Sequence, residues 1–386
     1  MHMKIFCKVI LAVLLALPAT ASATNLRYGP WVHNVGENSF TVIWVTEKPS
    51  LDYVEIAPED GLAFESVERA KYYQSSNGRR ITRRYHSVRI DNLEPGTEYR
   101  YRIVGQVLKD DSNPYHLVFG TLRQLSKRTH SVRTLDASAD TCRFTIFNDI
   151  HGNDARFTAL ASGVDASKTD FIVLNGDIIS FVNEIDTLVK HTVQPIAHLT
   201  DQLPLFYARG NHETRGSDFD KVYDLFPTST GEFYYSFRHG PAAFIVLDAG
   251  EDKPDDHPEY AGTADFDAYR LQQTEWLKEV VNDPAFLSAP VKICIMHIPT
   301  IAHEGSWYTV RWITEHWTPI LENAGIDVLL SGHYHRWQLS EAGQDGTSYP
   351  VVINSNLERL DVTVTPSGLQ LTTYSIDGTP VHHWEK

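Results

Sequence analysis

The chain has 386 residues, 42% of them hydrophobic and 22% charged, and a formal net charge of −15. At roughly 100–200 residues per domain, this length suits two domains, with enough apolar material to pack cores without disulfide support. Forty-nine acids against 34 bases, with no Lys/Arg stripe, argue against nucleic acid as a partner.

Residues 1–23 read as a signal peptide. Lys4 and Lys8 give a positive start, Val9 to Leu17 an apolar run, and Ala21-Ser22-Ala23 a small-residue cleavage site. The run is too short to span hydrocarbon. The expectation is a secreted or periplasmic protein with no stable membrane insertion.

Residues 24–122 read as an all-β sandwich. Thr41-Val42-Ile43-Trp44-Val45 is dense in β-branched and aromatic residues, and His86-Ser87-Val88-Arg89-Ile90 alternates with period two. Pro95-Gly96 marks a turn. Tyr99 enters the next strand where a tyrosine corner belongs, its hydroxyl in reach of the turn backbone. With Trp44 in an early strand, the segment resembles a fibronectin type III module. The polar stretch 123–142 reads as a linker.

From 143 to 386 short buried strands alternate with helical runs, an α/β (α+β) pattern. Phe144–Phe147, Phe171–Leu174, Leu205–Tyr207, Val291–Met296 and Val328–Leu330 read as strands. Ile185, Leu188, Val189, Thr192 and Ile196 share one helical face behind an Asn183 N-cap, and Gln272–Val281 and Trp312–Asn323 read as helices. Cys142 and Cys294 sit at different distances from their strand tips. If the strands are parallel the offset is roughly 13 Å at ~3.3 Å per residue. That exceeds the Cα spacing of about 7 Å a disulfide tolerates, so two buried free thiols are expected.

Five polar clusters each follow a strand: Asp149-Ile150-His151, Gly176-Asp177, Gly210-Asn211-His212-Glu213, His297, and Gly332-His333-Tyr334-His335. Each alone has an ordinary reading as a turn, a cap or a core histidine. Together they bring carboxylates, a carboxamide and imidazoles to the carboxyl rim of one sheet system, where α/β folds bind ligands. Mixed histidine and carboxylate donors suit Zn, Fe, Mn or Ni better than Ca or Mg. Asp149, His151, Asp177, Asn211, His297, His333 and His335 are enough ligands for two ions.

This ordered set closely resembles the calcineurin-like metallophosphoesterase family, whose pattern of five motifs is present in full within roughly residues 143–363. The resemblance implies a β-sandwich flanked by helices. It implies that Asp149, His151 and His335 hold one metal, that Asn211, His297 and His333 hold the other, that Asp177 bridges them, and that His212 is catalytic. A fibronectin-like domain ahead of this one resembles the purple acid phosphatase arrangement. That family has Asp-x-Gly in the first motif and Gly-Asp-x-x-Tyr in the second, the tyrosine binding iron. Here His151 and Ser180 occupy those positions, so the protein is expected not to be purple. Arg209 resembles the phosphate-holding arginine of protein Ser/Thr phosphatases; otherwise it is a salt bridge at a strand end.

The activity this implies is hydrolysis of small phosphate esters, with two divalent or trivalent ions (Mn, Zn or Fe) sharing a bridging hydroxide ~3.5–4 Å apart. Asn211 and Arg209 would stabilise phosphoryl charge and His212 would protonate the leaving group or hold the phosphate, oriented by Glu213 or another acid. The alternative is a non-catalytic binding or adhesion protein with a retired phosphoesterase domain, but no ligand position is lost. The aromatics of the 303–308 loop either cover the site or pack beneath the loop.

Overall fold

The computed structural model describes residues 24–386; the expected signal peptide lies outside the described residues. The β-branched run around Trp44 forms one long strand, Ser39–Pro58. It pairs with Leu26–His33 and Arg83–Asp91 mainly along its first half, and with Ala70–Tyr73 and Glu98–Asp110 along its second. Phe40, Val42, Trp44, Val88, Ile90, Tyr101 and Ile103 bury one another in its core. The Tyr99 hydroxyl accepts a hydrogen bond from the Glu94 amide at 2.9 Å, as the tyrosine-corner pattern predicts.

The stretch 123–142 differs from the expected linker. Arg123–Gln124 and His130–Arg133 both pair with Glu98–Asp110. Val132 and Leu135 are the reason, since both are buried in the sandwich core. The sandwich also joins the next domain through its backbone. His33 pairs with Leu205 as a parallel neighbour, and His33 Nδ1 lies 2.6 Å from the Leu205 carbonyl oxygen.

The following domain is two facing sheets. In the first, Leu205–Ala208, Phe171–Asn175 and Cys142–Phe147 run parallel, extended by antiparallel Glu358–Thr365, Gly368–Ser375 and Pro380–Glu385. In the second, Ala242–Leu247, Val291–Met296, Val328–Ser331 and Val351–Ile353 run parallel, with antiparallel Tyr235–His239 and Gln338–Ser340 at the edges. Side chains alternate by strand pleat. Phe144, Ile146, Phe171, Val173 and Phe206 meet Phe244, Val246, Ile293, Ile295 and Leu330 between the sheets. Their neighbours Phe147, Ile172 and Leu174 face outward under Asp154–Ala161 and Ile185–Thr192. Ile245, Leu247, Cys294 and Met296 do the same under Phe266–Val280 and Tyr308–His316.

Local helix details differ from the expectation where distant residues intervene. The helix at Ile185 stops at Thr192, because Pro195 disfavours continuation through Gln194. Its first amide is capped by the carboxylate of Asp218 at 3.0 Å, not by Asn183. The run 312–323 is two helices, Tyr308–His316 and Thr318–Ala324, the second opening with Pro319 in its first turn. Cys142 and Cys294 are buried and free. They lie in different sheets, a more decisive separation than an offset within one sheet. Among the described residues no helix is long and apolar enough to cross a membrane.

Candidate metal centre

The polar clusters sit at the carboxyl ends of five strands, three from the first sheet and two from the second, so both sheets deliver side chains to one rim. The backbone there is locally unusual. Asp149, His151, Asp177, His333 and His335 all have positive φ, between 52° and 72°, and make up half of the ten such non-glycine residues described. Backbone held in this sparsely populated region clusters at functional sites. Glycines let these turns approach one another. A Cβ on Gly176, itself at φ +76°, would lie 2.6 Å from His297 Cγ, and one on Gly210 would lie 2.3 Å from Asp177 Oδ1.

Two groups of donors result. Asp149, His151, Asp177 and His335 present ligand atoms to one point, and Asp177, His297 and His333 to a second; Asp177 belongs to both. His335 Nε2 is 3.1 Å from both His151 Nε2 and Asp149 Oδ1, and His297 Nε2 is 3.0 Å from Asp177 Oδ2. Ligands bound to one ion at about 2.1 Å sit about 3.0–3.4 Å apart across octahedral or tetrahedral edges, so these separations fit metal coordination. The polar atoms say the same. Asp149 Oδ1, Asn211 Oδ1 and His297 Nε2 are buried without a hydrogen bond of acceptable geometry. Buried orphans of this kind call for an ion or water.

Electrostatics point the same way. Burial pushes the carboxyls of Asp149 and Asp177 up, but the facing His297 and further hydrogen bonds outweigh it and hold both below the ordinary range. Burial pushes the His297 imidazole down, yet the two carboxylates raise it to about 10.

The supports are specific. His297 Nδ1 donates to the Asn175 carbonyl at 2.8 Å, which turns Nε2 inward. Asp149 Oδ2 accepts from Asn148 Nδ2 and the His333 amide, at 2.6 and 2.9 Å. Asp177 Oδ1 accepts from the His212 amide at 3.0 Å. Glu213 is fully buried and accepts from the amides of Asp177, Ile178, Ile179 and Gly210, at 2.7–3.3 Å. It clamps the two strand-end loops together and does not orient His212. Burial and the nearby Asp177 push its carboxyl up to about 7, against the pull of those amides.

His212 stands at the edge of the donor set, with Nε2 3.8 Å from Asp177 Oδ2. Its Nδ1 faces the Ser180 carbonyl at 3.1 Å, and Ser180 Oγ lies 3.3 Å from His151 Nδ1. Beside it, Phe181 is 54% exposed with its ring 6.3 Å from the imidazole.

Arg209 is the one proposed site residue that points elsewhere. Its Nε and Nη2 bind the buried carboxylate of Asp248 at 2.8 and 2.7 Å, and its guanidinium packs on Phe233. The salt bridge, not the phosphate contact, is the reading the geometry supports. Arg215 was missed: it pairs with Glu251 and reaches His212. Its three-residue spacing from His212 was the available signal. In the 303–308 loop, Tyr308 donates to the Asp267 carboxylate, and the half-exposed Trp307 ring lies beside Lys253.

The chain matches the family described as Calcineurin-like phosphoesterase over residues 142–337, and the Purple acid Phosphatase, N-terminal domain over residues 31–119. It is similar to Purple acid phosphatase 18 of Arabidopsis thaliana, 23% identical over 349 residues, covering 82% of this chain and 66% of that protein. It is 24% identical over 292 residues to Purple acid phosphatase 15 of the same plant, covering 66% and 49%. It is also similar to Serine/threonine-protein phosphatase CPPED1 of Mus musculus, 25% identical over 178 residues, covering 44% and 54%. The chain thus spans about half to two thirds of the curated relatives it matches. Among solved structures, purple acid phosphatase PPD1 from yellow lupin (Lupinus luteus) seeds shares the fold, with a TM-score of 0.67 at 15% identity over 92% of this chain and 73% of that one. Because the first match spans just over half of the chain and contains every residue of the two donor groups, the chain belongs to the calcineurin-like phosphoesterase family.

Proposed function

We propose that this protein is a metal-dependent hydrolase of small phosphate esters with a binuclear centre. The observation that carries this reading is Asp177, the carboxylate common to both donor groups. Asp149, His151 and His335 would hold one ion and Asn211, His297 and His333 the other, with Asp177 offering ligand atoms to both. Mn, Zn or Fe suits such donors. When bound, two such ions supply Lewis acidity toward the phosphoryl group and an activated water. The chain's own residues do the rest. The Ser180 carbonyl accepts the Nδ1 proton of His212, which aims Nε2 at the rim, within reach of an ester oxygen but outside the ligand set. There His212 holds the phosphoryl group or, as imidazolium, passes its Nε2 proton to the leaving oxygen and is left neutral with Nδ1 protonated. Asn211 combines metal binding with a carboxamide N–H able to meet phosphoryl oxygen. The composition of residues 1–23 supports export, to the periplasm or outside the cell.

The test is a panel of aryl and alkyl phosphate esters with the protein loaded with Mn, Zn or Fe, beside Asp177→Ala. The expected result is hydrolysis by the parent, and loss of both activity and bound metal, toward one ion or fewer, in the variant. Two ions retained in Asp177→Ala, by elemental analysis, would overturn the bridging role. A fully loaded parent inert toward every ester would overturn the activity.

A further inference from the structure

Arg215 lies against the His212 imidazole. Its Nη1 lies 3.1 Å from His212 Nε2 and 3.3 Å from Nδ1. The guanidinium is held from behind by a fork-on-fork pair: Nε meets Glu251 Oε1 at 2.5 Å, and Nη2 meets Oε2 at 2.8 Å. Such bidentate pairing fixes direction as well as charge. Glu251 is itself buried and further anchored. The Thr214 hydroxyl lies 3.3 Å from its Oε1. The completely buried Arg270 donates to the carbonyls of Ala249 and Glu251, at 2.8 and 2.7 Å. One edge of Arg215 is therefore occupied by Glu251, while Nη1 is left at the rim on a side chain 26% exposed.

We propose that Arg215 is the substrate-binding cation of this site, donating from Nη1 to a non-bridging phosphoryl oxygen beside His212, with Glu251 as the positioning residue that aims it. The proposal rests on the phosphate-ester reading of the site. Arg209 is the weaker candidate: its side chain is 10% exposed against 26% for Arg215, its guanidinium lies over Phe233, and only Arg215 reaches His212. Paired with Glu251, Arg215 adds little net charge to the rim. Its contribution is a directed, charge-assisted hydrogen bond, which a lysine's point charge reproduces poorly. A bridge that only ties the turn after His212 to the Glu251 loop would instead affect stability and leave phosphate binding alone.

The experiment compares the parent, Arg215→Gln, Arg215→Lys and Glu251→Gln, all metal-loaded. Binding of inorganic phosphate is read by calorimetry, with metal content, thermal unfolding and ester kinetics alongside. Arg215→Gln is expected to keep its metals and to lose roughly 10- to 100-fold in phosphate affinity and in kcat/KM, as for one charge-assisted hydrogen bond. Arg215→Lys should lie between it and the parent. Glu251→Gln should weaken phosphate binding by a smaller factor with Arg215 still present. Phosphate affinity at the parent's level in Arg215→Gln overturns the inference; should that variant not fold, parent-level affinity in Arg215→Lys does so. A parent that hydrolyses esters while the variants bind phosphate normally isolates the failure to Arg215. A parent that neither binds phosphate nor cleaves any ester removes the activity itself.

Discussion

The carbonyl oxygen of Ser180 lies 3.1 Å from Nδ1 of His212. A carbonyl only accepts, so Nδ1 carries one proton; Nε2 is the atom offered to the rim, and it must carry a second proton, as imidazolium, to act as general acid. His212→Ala should therefore bind its metals normally yet lose about 10²–10⁴-fold in kcat, the range for general acid help. The loss should be greatest for alkyl esters, whose leaving oxygens most need a proton. Equal losses for aryl and alkyl esters would leave His212 a phosphate-holding role only.

Ser180 also stands where a purple acid phosphatase has its iron-binding tyrosine, and here its Oγ faces His151 Nδ1 at 3.3 Å. The donors converging on the rim are carboxylates, imidazoles and a carboxamide. With no phenolate among them, the Zn or Mn form should be nearly colourless and the iron form only weakly yellow-brown. Visible spectroscopy of the iron-loaded protein checks this. An intense mid-visible band lost on mutating one tyrosine would mean that a phenolate has entered the coordination sphere.

The sandwich supports the next domain without supplying any of the proposed ligands. Trp31, Ile43 and Val45 are buried in one cluster with Leu205, Tyr207 and Phe226. A fragment of residues 141–386 exposes that cluster. Losing a buried large aromatic alone costs about 3–5 kcal/mol. We expect a lower unfolding temperature or aggregation, with metal still bound by whatever fraction folds. A fragment as stable as the whole chain would show that the shared cluster contributes little.

Asp52 gives the sandwich a pH dependence of its own. Trp44 Nε1 donates to its Oδ2 at 3.0 Å, and His86 Nε2 lies 3.2 Å from the same oxygen. Burial pushes the carboxyl from 3.8 up to about 6, against the pull of hydrogen bonds from Trp44 and Ser50. A folded pKa above the unfolded one means that the stabilisation is full below pH 3.8 and lost as pH rises through 6. A shift of this size corresponds to at most about 3 kcal/mol. Asp52→Asn keeps the acceptor for Trp44 and removes the charge, so it should raise the unfolding temperature above pH 7 and change it little near pH 4. His86, pushed down to about 3 by burial, has the opposite sign and destabilises as pH falls below its ordinary 6.5. Because it touches Asp52, the two titrations are coupled and the substitution reports their combined pH dependence. An offset independent of pH between 4 and 8 would show that Asp52 does not titrate in this window.

The strand segments, the helix faces and the placement of the polar clusters at strand ends were legible in the chain because each depends on local pattern. Pleat and helix periods set which residues face a core, and short glycine-bearing clusters after buried strands mark the rim. What the sequence could not determine were the partners chosen by approach of distant segments. Two arginines flank the third cluster, and only the tertiary structure sends Arg209 to Asp248 and Arg215 to Glu251 and His212. Glu213 reads locally as a partner for His212, but the Asp177 loop, 36 positions away in sequence, brings it amide donors. Asp218 takes the cap from Asn183, and two short pieces of the polar stretch 123–142 become strand because Glu98–Asp110 lies beside them. A long polar side chain has several staggered directions of similar intrinsic energy, and which one it occupies is settled by the buried charge or orphaned amide that the fold places within its reach.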